Sequence, residues 1–242
     1  MSYGKVLFDA HGLEPVGFCV CCRVDVRFGG MWSFANIADA LEAQLAAEAQ
    51  RLDEEQSVYG VDALDELRLH PILADALSKA GYGVFAEQHY PAERRKRRRS
   101  EGERCDFVLT PHGLPLREPD AEATLFDRDD AIALDQAFWL EVKVVAQFTT
   151  NGPNRNYSSQ LLGAVQSDVG KLSREAGIIH CGVLVVLFTQ DKRIAEHDLA
   201  AWLARCLERG LPIGSPSTRE FVITDRLGNG VCVIALYPVH HR

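Results

Sequence analysis

Apolar and polar residues alternate with a period of two in some segments of this chain and recur at helical spacing in others. Residues 4–28 end in a strand-like alternation, which together with a turn at 12–15 predicts an N-terminal β-hairpin. Residues 33–57 are rich in Ala and Leu and contain neither Gly nor Pro, as is typical of a long helix. A second helical stretch over 61–80 contains Pro71, so we expect a kink or a restarted helix there.

Runs of β-branched and aromatic residues predict strands further along the chain, and two more segments have helical periodicity. The predicted strands cover 82–90, 104–110, 137–148, 181–188, 219–225 and 231–237. The predicted helices cover 157–176 and 192–209. The polar stretch 111–136 is a long connection, of a type that is often functional or mobile.

The order of predicted elements from residue 61 to residue 188 is α-β-β-β-α-β. This order predicts an α/β fold with a mixed central sheet. We expect a single domain overall, with residues 61–190 as its core. The N-terminal hairpin and long helix (1–60) would pack on this core, and a C-terminal helix and β-hairpin (191–242) would extend it.

The predicted strand 137–148 carries two charged residues among apolar ones. Because side chains alternate between the faces of a strand, Glu141 and Lys143 emerge on the same side. Asp106 lies in the middle of an earlier strand and would face Glu141 if the two strands pair as a hairpin. Two converging carboxylates form an oxygen-rich site suited to Mg²⁺, and a nearby lysine can orient a water molecule or stabilise developing negative charge. A surface ion pair on an edge strand is the alternative explanation of the Glu-x-Lys triplet taken alone.

Asp106 followed by Glu141-Val142-Lys143, within the order α-β-β-β-α-β, resembles the PD-(D/E)XK (restriction-endonuclease-like) nuclease superfamily. The resemblance covers roughly residues 61–188. It implies that Asp106 and Glu141 bind Mg²⁺, that the carbonyl group of Val142 adds a ligand, and that Lys143 assists the attacking water. The chain departs from the usual pattern at residues 104–105, which are Arg-Cys where a proline often precedes the motif aspartate.

Many members of that superfamily add a carboxylate from the first core helix. Glu66 is the residue that we expect in this role, because Glu66 and His70 share one face of the predicted helix. Asp62 and Asp65 are alternatives on the same segment, and Glu87 is an alternative on the first strand.

The charge of the chain is distributed unevenly. A net charge of −8 argues against a general nucleic-acid binder. One basic run nevertheless lies between the first two predicted core strands, and it consists of Arg94, Arg95, Lys96, Arg97, Arg98 and Arg99. Its guanidinium groups would suit phosphate contacts that are independent of base sequence. A solvated loop, or a site for an acidic partner, is the alternative.

Two polar residues of the predicted helix 157–176 are further candidates for nucleic-acid contact. Gln160 and Lys171 lie nearly opposite the apolar stripe of this helix, and Asp168 lies at the border of the stripe. Members of the superfamily often use polar residues of this helix near the active site or DNA. A plain solvated helix face is the alternative interpretation.

These observations predict a Mg²⁺-dependent nuclease, in which Mn²⁺ can substitute, that hydrolyses phosphodiester bonds. Double-stranded DNA is the favoured substrate because of the habits of the superfamily, and a homodimer or a larger complex is compatible with the sequence. One alternative is a catalytically inactive nuclease-fold subunit that binds nucleic acid or acts as a scaffold. Another is an unrelated α/β protein, in which Asp106 and Glu141 would lie far apart.

The sequence favours a cytoplasmic protein that does not interact with membranes. The first thirty residues contain charged positions that interrupt a signal peptide, and no apolar run approaches the roughly 20 residues of a membrane helix. Cys19 and Cys22 have Cys-x-x-Cys spacing but lack the second pair that a structural zinc site needs. Their alternation with apolar residues favours a half-buried strand instead.

Overall fold

The computed structural model describes residues 32–91, 103–117 and 130–241. The predicted N-terminal hairpin with Cys19 and Cys22, and the basic run 94–99, lie outside these residues. The described residues belong to one compact unit, Met31–Arg242. A mixed sheet of six strands carries helices on both faces, so the α/β fold class predicted from the sequence is confirmed.

The helices and strands are numbered here in chain order. The helices are α1 (Phe34–Glu54), α2 (Glu66–Lys79), α3 (Val165–Leu172) and α4 (Lys192–Glu208). The strands are β1 (Gly83–His89), β2 (Arg104–Thr110), β3 (Phe138–Ala146), β4 (Phe148–Thr149), β5 (Gly152–Pro153), β6 (His180–Thr189), β7 (Ser217–Val222) and β8 (Val231–Val239). Short 3₁₀ turns cover Val61–Ala63 and Pro111–Gly113.

The strand order of the sheet is β1-β2-β3-β6-β8-β7. Only β3 and β6 run parallel, and every other neighbouring pair in this sheet is antiparallel. The connection between the two parallel strands contains α3, as a parallel crossover requires. β4 and β5 form a separate two-stranded ladder between β3 and α3. The elements from α2 to β6 thus follow the predicted order α-β-β-β-α-β, with this small ladder added.

The helices form two layers because each has one apolar face. Leu41 of α1 and Leu73 of α2 are fully buried against one face of the sheet. Val169 of α3 and Trp202 of α4 are fully buried in a second cluster against the other face. The N-termini of α1 and α2 have the capping residues that such helices need, since the side chains of Ser33 and Asp65 accept hydrogen bonds from backbone N–H groups in the first turn.

Two predicted helices differ in detail from the observed ones. The predicted helix 61–80 begins only at Glu66, after the 3₁₀ turn, and continues through Pro71 without restarting. Pro71 lacks the N–H group that would donate to the carbonyl group one turn earlier. Because Pro71 is exposed, water can donate a hydrogen bond to that carbonyl group instead. The predicted helix 157–176 consists of a helical turn (Tyr157–Ser159), a π-helical turn (Gln160–Ala164) and α3. Hydrophobic periodicity is too coarse to reveal such local changes of pitch.

Two predicted strands also differ in their bounds. The predicted strand 137–148 ends at Ala146, and β4 begins after a one-residue break. The predicted strand 219–225 begins earlier and ends at Val222. Within the described ranges, no helix combines the length and apolar character needed to cross a membrane.

Candidate functional site

The candidate site begins where the pairing of β2 with β3 ends. The antiparallel ladder stops at the pair Phe107 and Leu140, and one step further Asp106 stands opposite Glu141. The carboxylate Oδ2 of Asp106 accepts a hydrogen bond of 2.7 Å from the backbone N–H of Val142. The side chain of Asp106 therefore accepts the hydrogen bond that a backbone carbonyl group of β2 would accept if the ladder continued. The predicted pairing of the two strands is confirmed, and it brings the two carboxyl groups together.

Glu141 is held by partners on two sides. It is 2% exposed, and its Oε1 accepts hydrogen bonds from the hydroxyl group of Tyr90 and, at 3.0 Å, from Nζ of Lys171. The ring of Tyr90 is stacked on Trp139, with 5.6 Å between the ring centroids. Burial and the nearby carboxylate of Asp106 raise the pKa of Glu141, although Lys171 and Tyr90 oppose this shift. Glu141 is thus an oriented carboxyl group rather than part of a surface ion pair.

Lys143 lies among carboxylates. Its Nζ is 3.3 Å from Oε1 of Glu66 and 3.6 Å from Oδ2 of Asp168, and it donates a 2.9 Å hydrogen bond to the carbonyl oxygen of Val142. Burial lowers the pKa of Lys143, but the surrounding carboxylates outweigh that effect, so the pKa lies above its usual value. Lys143 is therefore a charged ammonium group within the cluster, and the surface ion pair considered for the Glu-x-Lys triplet does not describe it.

α3 contributes two residues to the same cluster. Asp168 is 7% exposed and lies between the two lysines, with Oδ1 3.4 Å from Nζ of Lys171. Burial and the charge of Glu141 raise the pKa of Asp168. The sequence indicated Lys171 only as a nucleic-acid contact and Asp168 only as a border residue, and a solvated helix face does not describe either. The missed signal was the three-residue spacing of an acid and a base at the edge of an apolar stripe.

Three residues of the site could hold a metal ion. Ligand atoms of Glu66, His70 and Asp106 all lie within 4.8 Å of one another. Nε2 of His70 is buried and has no hydrogen-bond partner among the described residues, and the imidazole ring packs on Phe107. Burial lowers the pKa of His70, so the ring is neutral near pH 7 and its lone pair is available. An unsatisfied nitrogen beside two carboxylates fits a divalent cation.

Glu66 and its three alternatives occupy different positions around the site. Glu66 reaches the cluster through Lys143, as expected for the additional carboxylate. Asp65 caps α2 by accepting a hydrogen bond from the backbone N–H of Arg68. Asp62 belongs to a separate buried network, in which its Oδ2 accepts a hydrogen bond from the side-chain amide of Asn229. Glu87 is exposed on β1, where it has a φ of 55° that is strained for a residue other than glycine.

A cleft of about 450 Å³ opens next to this cluster, and Glu66 is part of its lining. The cleft lies beyond the C-terminal end of β3, between the start of α2 and the π-helical turn. Gln160, predicted as a nucleic-acid contact, lines the cleft rather than the carboxylate cluster. The side-chain amide of Asn154 donates to Oε1 of Gln160 at 2.9 Å and thereby orients it.

Comparisons with protein families, with curated proteins and with solved structures found no match. Function is therefore inferred from the geometry of the site.

Proposed function

We propose that this protein is a metal-dependent nuclease with a restriction-endonuclease-like core that hydrolyses phosphodiester bonds in nucleic acid. The observation that carries the proposal is the convergence of Asp106, Glu141, Lys143 and Glu66, which come from β2, β3 and α2. Buried charged groups are costly unless they have partners or a function. The order of elements from α2 to β6 supports the proposed core.

The donor set suits a divalent cation. Glu66, His70 and Asp106 would hold it, and Glu141 would face it from β3. A bound cation would polarise a phosphoryl oxygen and lower the pKa of a bound water molecule. Carboxylate oxygens are the ligands that Mg²⁺ prefers, whereas transition metals, Mn²⁺ among them, accept an imidazole ligand more readily than Mg²⁺ does.

The residues of the chain would position and stabilise the reacting groups. Lys143 carries a positive charge at neutral pH, and its Nζ can orient the attacking water or offset the negative charge that develops on the phosphoryl oxygens. Lys171 and Tyr90 fix the orientation of Glu141, so this carboxylate need not reorganise during the reaction. Asp168 holds the two ammonium groups near each other.

The substrate proposed is double-stranded DNA. The acidic cluster would repel phosphate without a bound cation, so an additional basic surface is needed for binding. The run of arginine and lysine residues at 94–99 is the proposed source of that attraction.

One observation favours a second candidate function, that of a catalytically inactive nuclease-fold subunit. Lys143 and Lys171 already pair with Glu66, Glu141 and Asp168, so the cluster is partly compensated in charge without any cation. Such a protein would bind nucleic acid without cleaving it.

Plasmid and linear DNA incubated with Mg²⁺ or Mn²⁺ separate these functions. We expect cleavage by the wild type, and a loss of roughly a hundredfold or more in Lys143→Met and Asp106→Asn because each removes a group that stabilises the transition state. Lys79→Met is the matched control, since Lys79 is an exposed residue at the end of α2.

The outcomes of this experiment are distinct. DNA binding without cleavage by any form would favour the inactive subunit. Cleavage by Lys143→Met at the rate of the wild type would refute the assignment of the site.

A further inference from the structure

The cleft beside Glu66 has the composition of a small ligand site. Val144 and Ala146 supply an apolar wall from the end of β3, and Thr149 and Gln160 supply polar groups. Ligand sites typically combine apolar walls with a few oriented polar groups in this way. A π-helical turn begins at the rim, at Gln160, and such turns are frequent at functional sites.

The inner end of the cleft is rigidly built. Asn229 is fully buried, and its side-chain amide contacts three groups: it accepts from the backbone N–H of Phe148 at 3.1 Å, and it donates to the carbonyl oxygen of Phe148 at 2.9 Å and to Oδ2 of Asp62 at 2.8 Å. These bonds hold the β4–β5 ladder, which forms one wall. Asp62 is among the lining residues but is only 3% exposed, so its carboxyl group belongs to the buried support of the cleft and is not presented to a ligand.

The outer end of the cleft presents an oriented donor. Asn154 donates to the backbone carbonyl of Ala146 at 2.8 Å and to Oε1 of Gln160 at 2.9 Å. Since the oxygen of Gln160 is engaged, its NH₂ group is the end of the amide that remains for a ligand. The cleft therefore offers an oriented donor at its rim.

The charge of the lining residues indicates which part of a nucleotide, the phosphate group or the base, the cleft can bind. Asp62, Asp65 and Glu66 are acidic, and among the described residues that line this cleft there is no lysine or arginine. A phosphate group would be repelled there. A nucleobase is neutral, has an apolar face, and carries acceptors on its edge, so it matches the apolar wall and the donor of Gln160.

We infer that this cleft binds one unpaired nucleobase of the substrate strand, next to the scissile phosphate. The inference rests on the proposed nuclease function, because Glu66 is shared between the cleft and the carboxylate cluster. Val144 and Ala146 contact the face of the base, and Gln160 donates to its edge. A base inside an intact duplex cannot enter, so the proposed double-stranded substrate would have to open locally at this site.

Fluorescence anisotropy tests this inference on the full chain with Ca²⁺ present. The probes are a single strand of twelve deoxyadenosines and an abasic strand of the same length and charge. We expect the wild type to bind the adenine strand about tenfold more tightly than the abasic strand, because the base buries apolar surface against Val144 and Ala146 and accepts a hydrogen bond from Gln160. In Gln160→Ala this preference falls severalfold while affinity for the abasic strand is unchanged. Gln50→Ala, an exposed substitution on α1, is the control and keeps the preference of the wild type.

Equal affinity of the wild type for the two strands would overturn the inference, and so would a Gln160→Ala variant that weakens both strands alike. A parallel cleavage assay in Mn²⁺ tests the proposed nuclease function separately from the base site. Cleavage without a preference for the adenine strand rejects the base site alone. A preference without cleavage rejects the nuclease and leaves the base site supported.

Discussion

His70 is the residue whose surroundings most directly indicate a ligand. Its Nε2 is buried and has no hydrogen-bond partner in the part of the chain that the structure describes. Burial lowers the pKa of His70, so the imidazole is neutral and can act as a metal ligand beside Glu66 and Asp106. A buried polar atom left unsatisfied costs about 1–3 kcal/mol, and a bound cation would remove that cost. The sequence showed His70 only as a neighbour of Glu66 on one helix face.

We predict that His70→Ala lowers the affinity for Mn²⁺ by roughly tenfold or more and the affinity for Mg²⁺ much less. The reason is that an imidazole nitrogen contributes more to a transition metal than to Mg²⁺, which prefers oxygen ligands. Isothermal titration calorimetry with each metal measures both affinities. His112→Ala is the control, because His112 lies in the 3₁₀ turn after β2 and outside the cluster. Equal losses for the two metals would argue against coordination by His70.

Three carboxyl groups of the cluster, two buried and one half-buried, make metal binding dependent on pH. Burial raises the pKa of Asp106, Glu141 and Asp168, so their contribution to folding is present below pH of about 4 and is lost as pH rises through the raised values. The pKa values of Lys143 and Lys171 are raised, so both remain charged across this window.

A cation needs the ionised carboxylates, so its stabilising effect should grow with pH. We predict that Mn²⁺ raises the unfolding temperature more at pH 8 than at pH 5, as measured by differential scanning fluorimetry. Asp106→Asn should lose most of this difference. An equal shift in the wild type at both pH values would contradict the proposed coupling.

The β4–β5 ladder shows how one side chain can position a whole element. Its two strands are only two residues each, so they depend on anchoring from outside. Asn229, in the turn before β8, supplies this anchoring through Phe148 and Asp62. The sequence marked the Gly-Asn-Gly segment only as a turn, because nothing local indicates that the amide of its asparagine is buried.

We predict that Asn229→Ala lowers the free energy of unfolding by about 3 kcal/mol, because it leaves buried groups of Phe148 and Asp62 without partners. Chemical denaturation followed by circular dichroism measures the change. Asn151→Ala, an exposed substitution in the turn between β4 and β5, should change stability by less than about 0.5 kcal/mol. A small effect of Asn229→Ala would show that the ladder is held by other contacts.

Elements outside the predicted core complete the sheet and cover both of its faces. β8 pairs with β6 at every position from Cys181 to Thr189. Leu41 of α1 and Trp202 of α4 complete the two apolar clusters and are fully buried. These contacts are the physical basis for treating residues 32–60 and 191–241 as parts of one folding unit with the predicted core.

We predict that a fragment of residues 61–190 does not unfold cooperatively, in contrast to the full chain. The fragment exposes the edge of β6 and loses the apolar surfaces of α1 and α4, and an exposed apolar edge strand favours aggregation. Thermal scans by circular dichroism compare the two proteins. A sharp transition of the soluble fragment would mean that the predicted core folds alone.

Local physical chemistry was enough to determine most of the secondary structure and the fold class from sequence. The period of apolar residues set the helices and strands, and period-two alternation put Glu141 and Lys143 on one side of β3. The site requires β2 to pair with β3. The two strands pair in the predicted register, which places Asp106 opposite Glu141. The changes of pitch before α3 and the bounds of β7 were beyond this reasoning, because they depend on packing.

Only the tertiary structure decided which charged residues meet. Glu66, His70, Asp168 and Lys171 are each plausible surface residues in their own helices, and α2 and α3 lie on opposite faces of the sheet. They converge because the pairing of β2 with β3 ends at Phe107, the residue next to Asp106, which leaves that edge of β3 to side chains. Where a ladder ends is set by the balance of contacts across the whole sheet, and a linear pattern of residues does not contain that balance.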